Sequence, residues 1–161
     1  MAAGRQHFYS TRITWTGNKG TGTSGYRDYD RSYEIAVDGK AAISGSSDPA
    51  FRGDRSRWNP EELLVASLSA CHKLSYLHLC AEAGVRVVTY LDDAEGVMEE
   101  TADGGGRFVQ VTLKPSVEVS EDSDLELAVR LHEAAHHICF IARSVNFPVT
   151  CTPNVQRLIT A

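Results

Sequence analysis

The stretch that decides the fold is residues 59–84, NPEELLVASLSACHKLSYLHLCAEAG. Asn59 is a favoured N-cap residue, and Pro60 suits the first helical position because its missing N–H has no partner there. Gly84 is a common residue just after a helix. The stretch therefore predicts one helix from Pro60 to Ala83, about 36 Å long at about 1.5 Å per residue.

Apolar side chains surround most of this helix. They are Leu63, Leu64, Val65, Leu68, Ala70, Leu74, Leu77 and Leu79. A helix that is apolar nearly all round is buried. Because one chain of 161 residues can hardly wrap such a helix completely, we expect a partner subunit.

Strand patterns stand on both sides of the long helix. The predicted strands are His7–Trp15, Tyr33–Val37, Lys40–Ser44, Val85–Leu91, Gly96–Glu100, Phe108–Val119 and Val155–Ile159. Asp38-Gly39 predicts a two-residue hairpin turn, and the capping box from Ser123 to Glu126 predicts a second helix. The order of elements predicts an α+β fold with antiparallel sheets and two principal helices, organised as a single domain over residues 1–161.

The composition excludes several classes of protein. The formal net charge is −5 and 42% of the residues are hydrophobic. An acidic chain does not favour nucleic acid or an anionic membrane surface. We read no apolar run approaching the roughly 18 to 20 residues of a membrane span, and Met1–His7 lacks the pattern of a signal peptide. The expectation is a cytoplasmic protein with no nucleic-acid or membrane partner.

Four cysteines need an explanation: Cys71, Cys80, Cys139 and Cys151. Structural disulfides are improbable in a reducing cytosol. Cys71 lies in the middle of the long helix, where it is either a small buried apolar residue or a nucleophile. A nucleophilic role requires a nearby cation that stabilises the thiolate. The candidate cations are Arg27, Arg52, Arg55 and Arg57.

The other candidate residues also allow two readings. Glu61 either complements the helix dipole or holds an arginine that reaches toward Cys71. Cys139, at the end of the second helix, is either a packed thiol or a second redox cysteine. Cys80 and Cys151 have no evident partner, so we treat both as bystanders.

Histidines beside the cysteines raise the hypothesis of zinc. His72 follows Cys71, and His136 and His137 precede Cys139. Their spacing matches no known zinc motif, so we expect no metal. His78 is interpreted as a core or interface histidine.

Two motifs together resemble those of the OsmC/Ohr family of thiol peroxidases. Residues 59–64, NPEELL, followed by Ser69-Ala70-Cys71, resemble the first motif, and residues 134–139, AAHHIC, resemble the second. The resemblance covers nearly the whole chain. It implies an OsmC-like fold and an intertwined homodimer, with the long helix buried at the centre and active sites at the subunit interface.

The resemblance also implies an activity, the cysteine-based reduction of organic hydroperoxides to alcohols as an antioxidant response. Cys71 matches the peroxidatic cysteine and Cys139 the resolving cysteine that forms a disulfide with it. Glu61 matches the glutamate that holds a catalytic arginine, and Tyr26-Arg27-Asp28 resembles the segment that supplies it, with Arg27. No cofactor is implied, and the partner that resets the enzyme is a dithiol, a lipoylated protein.

One departure from the family pattern keeps an alternative open. Phe140 follows Cys139, where the organic-hydroperoxide-resistance branch commonly has proline. The alternative is a non-catalytic OsmC-like dimer that binds a small hydrophobic ligand at the subunit interface.

Overall fold

The structure, a computed structural model, describes residues 4–158. The chain divides into two compact units, Met1–Leu63 and Leu64–Ala161. The organisation as a single domain over residues 1–161 stays a prediction.

The first unit holds an antiparallel sheet of three strands. β1 (Arg12–Trp15), β2 (Tyr33–Ala36) and β3 (Ile43–Gly45) lie in the order β1-β2-β3. Between β2 and β3, Lys40 N donates to Val37 O at 3.1 Å. Gly39 has a φ of +77°, which glycine adopts without a steric penalty. The predicted hairpin turn at Asp38-Gly39 is confirmed.

The long helix, α1, runs from Pro60 to Glu82. Asn59 caps it reciprocally, since its Oδ1 accepts from Glu62 N at 2.7 Å and its own N donates to Glu62 Oε2 at 3.1 Å. At the other end, Val85 N donates to Cys80 O at 2.9 Å around Gly84, whose φ is +73°. The predicted helix and both of its end signals are confirmed.

Within one chain, α1 buries a single face. Its buried residues, Leu68, His72, Tyr76 and Cys80, recur every four positions, while Leu74 is 62% exposed. The expectation of burial all round is therefore wrong for the single chain, because this chain supplies packing partners for one side of the helix. A partner subunit stays a prediction.

α1 also has the length and hydropathy of a membrane-spanning helix. Its most apolar segment of 18 residues has a mean hydropathy of 1.2, and 22% of that segment is buried. The expectation that no segment meets this requirement is wrong, because small polar residues such as Ser67 interrupt the apolar run without lowering its mean hydropathy enough. A core helix of a soluble protein has the same composition, so the helix alone assigns no location.

The second unit contains two sheets of three strands and the second helix. The sheets have the orders β4-β7-β9 and β5-β6-β8. The strands are β4 (Val87–Asp92), β5 (Glu95–Glu100), β6 (Gly106–Leu113), β7 (Pro115–Val119), β8 (Val149–Cys151) and β9 (Asn154–Arg157). The helix α2 spans Leu125–Ile138 and precedes β8 and β9.

The sheets of the second unit are mixed. The prediction of antiparallel sheets is confirmed for the pairs β4–β7 and β5–β6 and is wrong for two other pairs. The pairs β6–β8 and β7–β9 are parallel. α2 lies in the chain between the two members of each pair, and a crossover of this kind returns the chain in the same direction.

Other predicted boundaries also differ. β1 begins at Arg12 and not at the predicted His7, and β3 begins at Ile43 and not at Lys40. The single strand predicted over Phe108–Val119 is divided at Lys114 into β6 and β7, which belong to different sheets. The predicted last strand corresponds to β9, and its end at Ile159 lies outside the described residues.

The predicted capping box of α2 is shifted by one residue. Asp124, not Ser123, is the N-cap, since its Oδ1 accepts from Leu127 N at 2.9 Å. The Ser123 hydroxyl oxygen instead accepts from Arg86 N at 3.0 Å. Ser123 therefore joins the start of α2 to Arg86, the residue before β4. The Asp124 carboxylate caps the helix instead.

The core of the second unit brings α1 and α2 together. Tyr76 and Cys80 of α1 pack in one apolar cluster with Ala128 and Ala135 of α2. The Tyr76 hydroxyl donates to Ala128 O at 3.1 Å. This packing holds Cys71 of α1 close to Cys139 at the end of α2.

We predict that Asp124→Ala lowers the free energy of unfolding by about 1 kcal/mol, the typical loss when a helix cap is removed. Asp124→Asn keeps the acceptor oxygen and is the matched control, with a change of a few tenths. Urea denaturation measures both. An asparagine variant as destabilised as the alanine variant would contradict the capping role.

Candidate active site

Cys71 is partly exposed in the middle of α1. It lies beside the buried face of the helix, to which His72, 1% exposed, belongs. This position leaves its sulfur at the border between core and surface, where a small reactant can reach it.

Cys139 is the residue that ends α2. Its backbone N donates to His136 O at 3.4 Å, and its side chain is 1% exposed. A short 3-10 turn over Ala142–Ser144 follows, and Ala142 N donates to Cys139 Sγ at 3.4 Å. The turn fixes the sulfur of Cys139 at the end of the helix.

The structure brings Cys71 and Cys139 together. Both are free thiols, and the Cys71 side chain lies near enough to Cys139 to affect its pKa. Burial, and then the interaction with the Cys71 side chain, raise the pKa of the Cys139 thiol to about 11, against a smaller opposing effect of the Ala142 N–H. Cys139 therefore keeps its proton at neutral pH.

Glu61 has a buried carboxylate oxygen without a partner. Within residues 4–158, its Oε2 makes no hydrogen bond, and no ion pair joins Glu61 to an arginine. Burial, and then the charge of Glu61, raise the pKa of Tyr33. A buried oxygen without a partner costs about 1 to 3 kcal/mol, so Glu61 is suited to a cation that docks on it.

The four candidate arginines differ in their surroundings. Arg57 lies 3.5 Å from Asp54 as an ion pair, and Arg52 stands 5.8 Å from the ring centre of Tyr26. Arg55 and Arg27 are exposed, and for neither does the described part of the chain supply an ion pair. The predicted pair of Glu61 with Arg27 is not formed in the structure.

Arg31 was missed by the sequence analysis. Its guanidinium lies 4.4 Å from the ring centre of Tyr26 and 4.2 Å from that of Tyr29. It also donates to the carbonyl oxygens of both residues at 2.8 Å. Arg31 thus shapes the loop that carries Arg27, and the two Tyr and two Arg residues within 26–31 were the signal that could have shown it.

A second group of chemistry-bearing residues lies in the same unit. We call His72, His132 and Cys151 the histidine–cysteine cluster. His72 Nε2 lies 3.0 Å from His132 Nδ1, and Cys151 Sγ lies 3.6 Å and 4.0 Å from these two nitrogens. The treatment of Cys151 as a bystander is therefore wrong, because the return of the chain in β8 places it against both helices.

Burial sets the protonation of this cluster. It lowers the pKa of His72, and it lowers the pKa of His132 to about 3. Burial, and then the charge of Asp92, raise the pKa of Cys151 to about 12. At neutral pH both imidazoles are uncharged and the thiol keeps its proton.

The zinc hypothesis drawn from the sequence named other residues. His136 is partly exposed and His137 is exposed, with their ring centres 6.0 Å apart. Within residues 4–158, the donors that come within ligand distance of one another are those of the histidine–cysteine cluster. His132 was missed, although His132-Glu133-Ala134-Ala135-His136 has the spacing H-E-x-x-H of many zinc sites.

The remaining histidine and cysteine of α1 are separate from both groups. Cys80 is buried in the apolar cluster, and burial raises its pKa. His78 is exposed and lies 3.7 Å from Glu82. A core position is wrong for the single chain, because His78 lies about 200° around the helix from buried Tyr76. The interface position stays a prediction.

Comparisons with known proteins agree on the family. The family model described as OsmC-like protein matches residues 53–154. An OsmC-like protein of unknown function from Vibrio cholerae is 30% identical, with a TM-score of 0.83 over 92% of this chain and 100% of that chain. No curated protein sequence matches the chain.

More distant solved structures share the fold. An organic hydroperoxide resistance protein from Legionella pneumophila is 18% identical, with a TM-score of 0.66 over 94% of this chain and 99% of its own. The organic hydroperoxide resistance protein OhrB of Bacillus subtilis is 21% identical, with a TM-score of 0.61 over 91% and 98%. The matched family model and the α+β architecture lead to one conclusion: the chain belongs to the OsmC-like protein family and has the OsmC-like fold.

Proposed function

We propose that the protein is a two-cysteine peroxidase that reduces organic hydroperoxides to alcohols. The observation that carries the proposal is that a partly exposed Cys71 lies beside a buried, protonated Cys139. Relatives of the same fold named as organic hydroperoxide resistance proteins support the class of substrate.

In the first step, the more accessible sulfur reacts. The Cys71 thiolate attacks the terminal oxygen of the hydroperoxide, and the O–O bond breaks. Sulfur loses two electrons and becomes a sulfenic acid, while the remaining alkoxide takes up a proton and leaves as an alcohol. The partial exposure of Cys71 fits this role because the reactant comes from solvent.

In the second step, Cys139 resolves the sulfenic acid. Its sulfur attacks the oxidised sulfur of Cys71, an S–S bond forms, and the hydroxyl leaves as water with the proton that Cys139 gives up. The interaction between the two side chains supports this step. An external dithiol then reduces the disulfide by thiol–disulfide exchange, and we propose a lipoylated protein in a reducing cytoplasm as its source.

A cation is needed to favour the thiolate and to polarise the peroxide. We propose that Arg27 supplies it when its guanidinium docks on Glu61. Within residues 4–158, Glu61 Oε2 is buried without a partner and Arg27 makes no ion pair, and both observations support this assignment. Arg52, Arg55 and Arg57 are the alternatives.

The apolar residues that a single chain leaves exposed support a homodimer. They include Leu74 on α1 and, in the same unit, Val88, Leu91 and Val129, which are 43% to 62% exposed. Burying apolar surface contributes about 25 cal/mol per Å². We propose that a second copy of the chain covers this surface.

A ligand-binding dimer without catalysis remains the second candidate function. Phe140 favours it, because this aromatic side chain directly follows Cys139 and is 74% exposed. Such a surface suits a small apolar molecule whether or not the cysteines react. Catalytic turnover separates the two functions.

We expect Cys71→Ser to abolish hydroperoxide reduction, because the hydroxyl of serine does not replace a thiolate as the nucleophile. The assay is consumption of an organic hydroperoxide with a dithiol in excess. Cys80→Ala, which alters a buried thiol of the same helix, is the matched control and keeps its activity. Turnover in the Cys71 variant at the wild-type rate would refute the proposal.

For Cys139→Ser, we expect one oxidation of Cys71 but no intramolecular disulfide. Without a resolving thiol, the sulfenic acid reacts with further peroxide to sulfinic and sulfonic acids. Mass spectrometry of the intact protein follows the added oxygen atoms. A variant that still accumulates a disulfide at Cys71 would remove Cys139 from the mechanism.

Arg27→Ala should slow the oxidation of Cys71 by about a hundredfold, the typical effect of losing one donor to a developing negative charge. Glu61→Gln should act in the same direction, because it removes the charge that holds the arginine. Arg12→Ala, at an exposed position of β1, is the control. Stopped-flow oxidation by hydroperoxide measures each rate, and a normal rate in Arg27→Ala would transfer the role to one of the three alternatives.

A further inference from the structure

We propose that the histidine–cysteine cluster, His72, His132 and Cys151, is a zinc-binding site separate from the redox pair. The three side chains come from three elements, α1, α2 and β8. They are brought together by the fold, since Cys151 follows His72 by 79 positions. Two imidazoles and a thiol are the ligand types that zinc prefers.

The distances between the donor atoms fit one metal ion. The separations are 3.0 Å between the nitrogens, and 3.6 Å and 4.0 Å from Cys151 Sγ to His72 Nε2 and His132 Nδ1. A point equidistant from all three lies about 2.1 Å from each, within the range of about 2.0 to 2.3 Å for zinc–nitrogen and zinc–sulfur bonds. The site is therefore already shaped for an ion of this size.

The polar groups of the cluster are poorly satisfied by the protein alone. His72 and His132 are 1% and 2% exposed, and His72 Nδ1 and His132 Nε2 have no hydrogen-bond partner within residues 4–158. Two buried imidazoles thus share one hydrogen bond, although each unpaired buried group costs about 1 to 3 kcal/mol. An ion bound through His72 Nε2 and His132 Nδ1 would replace this shared hydrogen bond, and the other nitrogen of each ring would then carry the proton.

The charges around the cluster favour a cation. Neutral imidazole is the form of histidine that binds a metal ion. Zinc would displace the thiol proton of Cys151, so that one proton leaves for each ion bound. The Asp92 carboxylate, held by Ser69 Oγ at 2.5 Å and Lys114 N at 2.7 Å, adds a negative charge in the same unit.

An open pocket adjoins two of the three proposed ligands. The pocket has a volume of about 320 Å³ and is lined by His132, Cys151, Glu133 and His136, among others. Zinc sites with three protein ligands complete their coordination with water or another small ligand. The pocket offers room for such a ligand beside His132 and Cys151.

The sequence supports the same site with one difference. Residues 132–136 have the H-E-x-x-H spacing, in which two histidines of one helix bind the metal. Here His132 joins the cluster, whereas His136 lines the pocket, and the second imidazole comes from His72 on α1. The geometry thus points to a zinc site of His₂Cys composition.

The metal content of full-length, tag-free protein tests the proposal. After exposure to Zn²⁺ and removal of free ion, inductively coupled plasma mass spectrometry should find one zinc per chain. Cys151→Ala should lower this to background. Cys80→Ala and Cys71→Ser should each retain the ion, which separates this site from the redox pair and from the proposed peroxidase activity.

Cobalt substitution tests the wild-type chain without relying on a buried substitution. Co²⁺ should give the intense visible bands of tetrahedral coordination and a thiolate-to-cobalt charge-transfer band, both retained in Cys71→Ser. Bound Zn²⁺ should also protect Cys151 from alkylation and leave Cys80 unaffected. The absence of metal above background, loss of the metal in Cys71→Ser, or stoichiometric copper in place of zinc would overturn the assignment.

Discussion

The structure of the second unit depends on the packing of the buried face of α1 against α2. Tyr76 is central to it, since its hydroxyl donates to Ala128 O at 3.1 Å and its ring stacks on His132 with the centres 3.8 Å apart. A buried hydroxyl must find such an acceptor, and this one is a backbone oxygen inside a helix. The contact therefore fixes the two helices in one register.

That register decides which side chains meet. Cys71 and His72 are neighbours in α1 but point in directions about 100° apart around the helix. Cys71 meets Cys139 at the end of α2 near the surface, whereas His72 meets His132 and Cys151 in the core. One helix packing thus produces two separate groups, a thiol pair with one partly exposed member and a cluster of buried imidazoles with a thiol.

Local signals predicted the parts of the fold that depend on neighbouring residues. Asn59 and Pro60 begin α1, and Gly84 ends it, through bonds to residues a few positions away. The ends of α1 could therefore be predicted from the sequence. The parallel strand pairs and the division of the chain at Lys114 depend on contacts between distant segments, which spacing does not encode. The same reason explains Cys151, which had no partner in the sequence and gains two by the return of β8. The motif pair at Cys71 and Cys139 indicated the site by resemblance, but the unpaired state of Glu61 required coordinates.

The central claim is that Cys71 and Cys139 form one redox pair, and disulfide mapping of the wild-type protein tests it most directly. The reduced protein is exposed to one equivalent of an organic hydroperoxide, alkylated, and digested for mass spectrometry. The account predicts a Cys71–Cys139 cross-link with Cys80 and Cys151 alkylated. Four unreacted thiols, or a cross-link between any other pair, would contradict it.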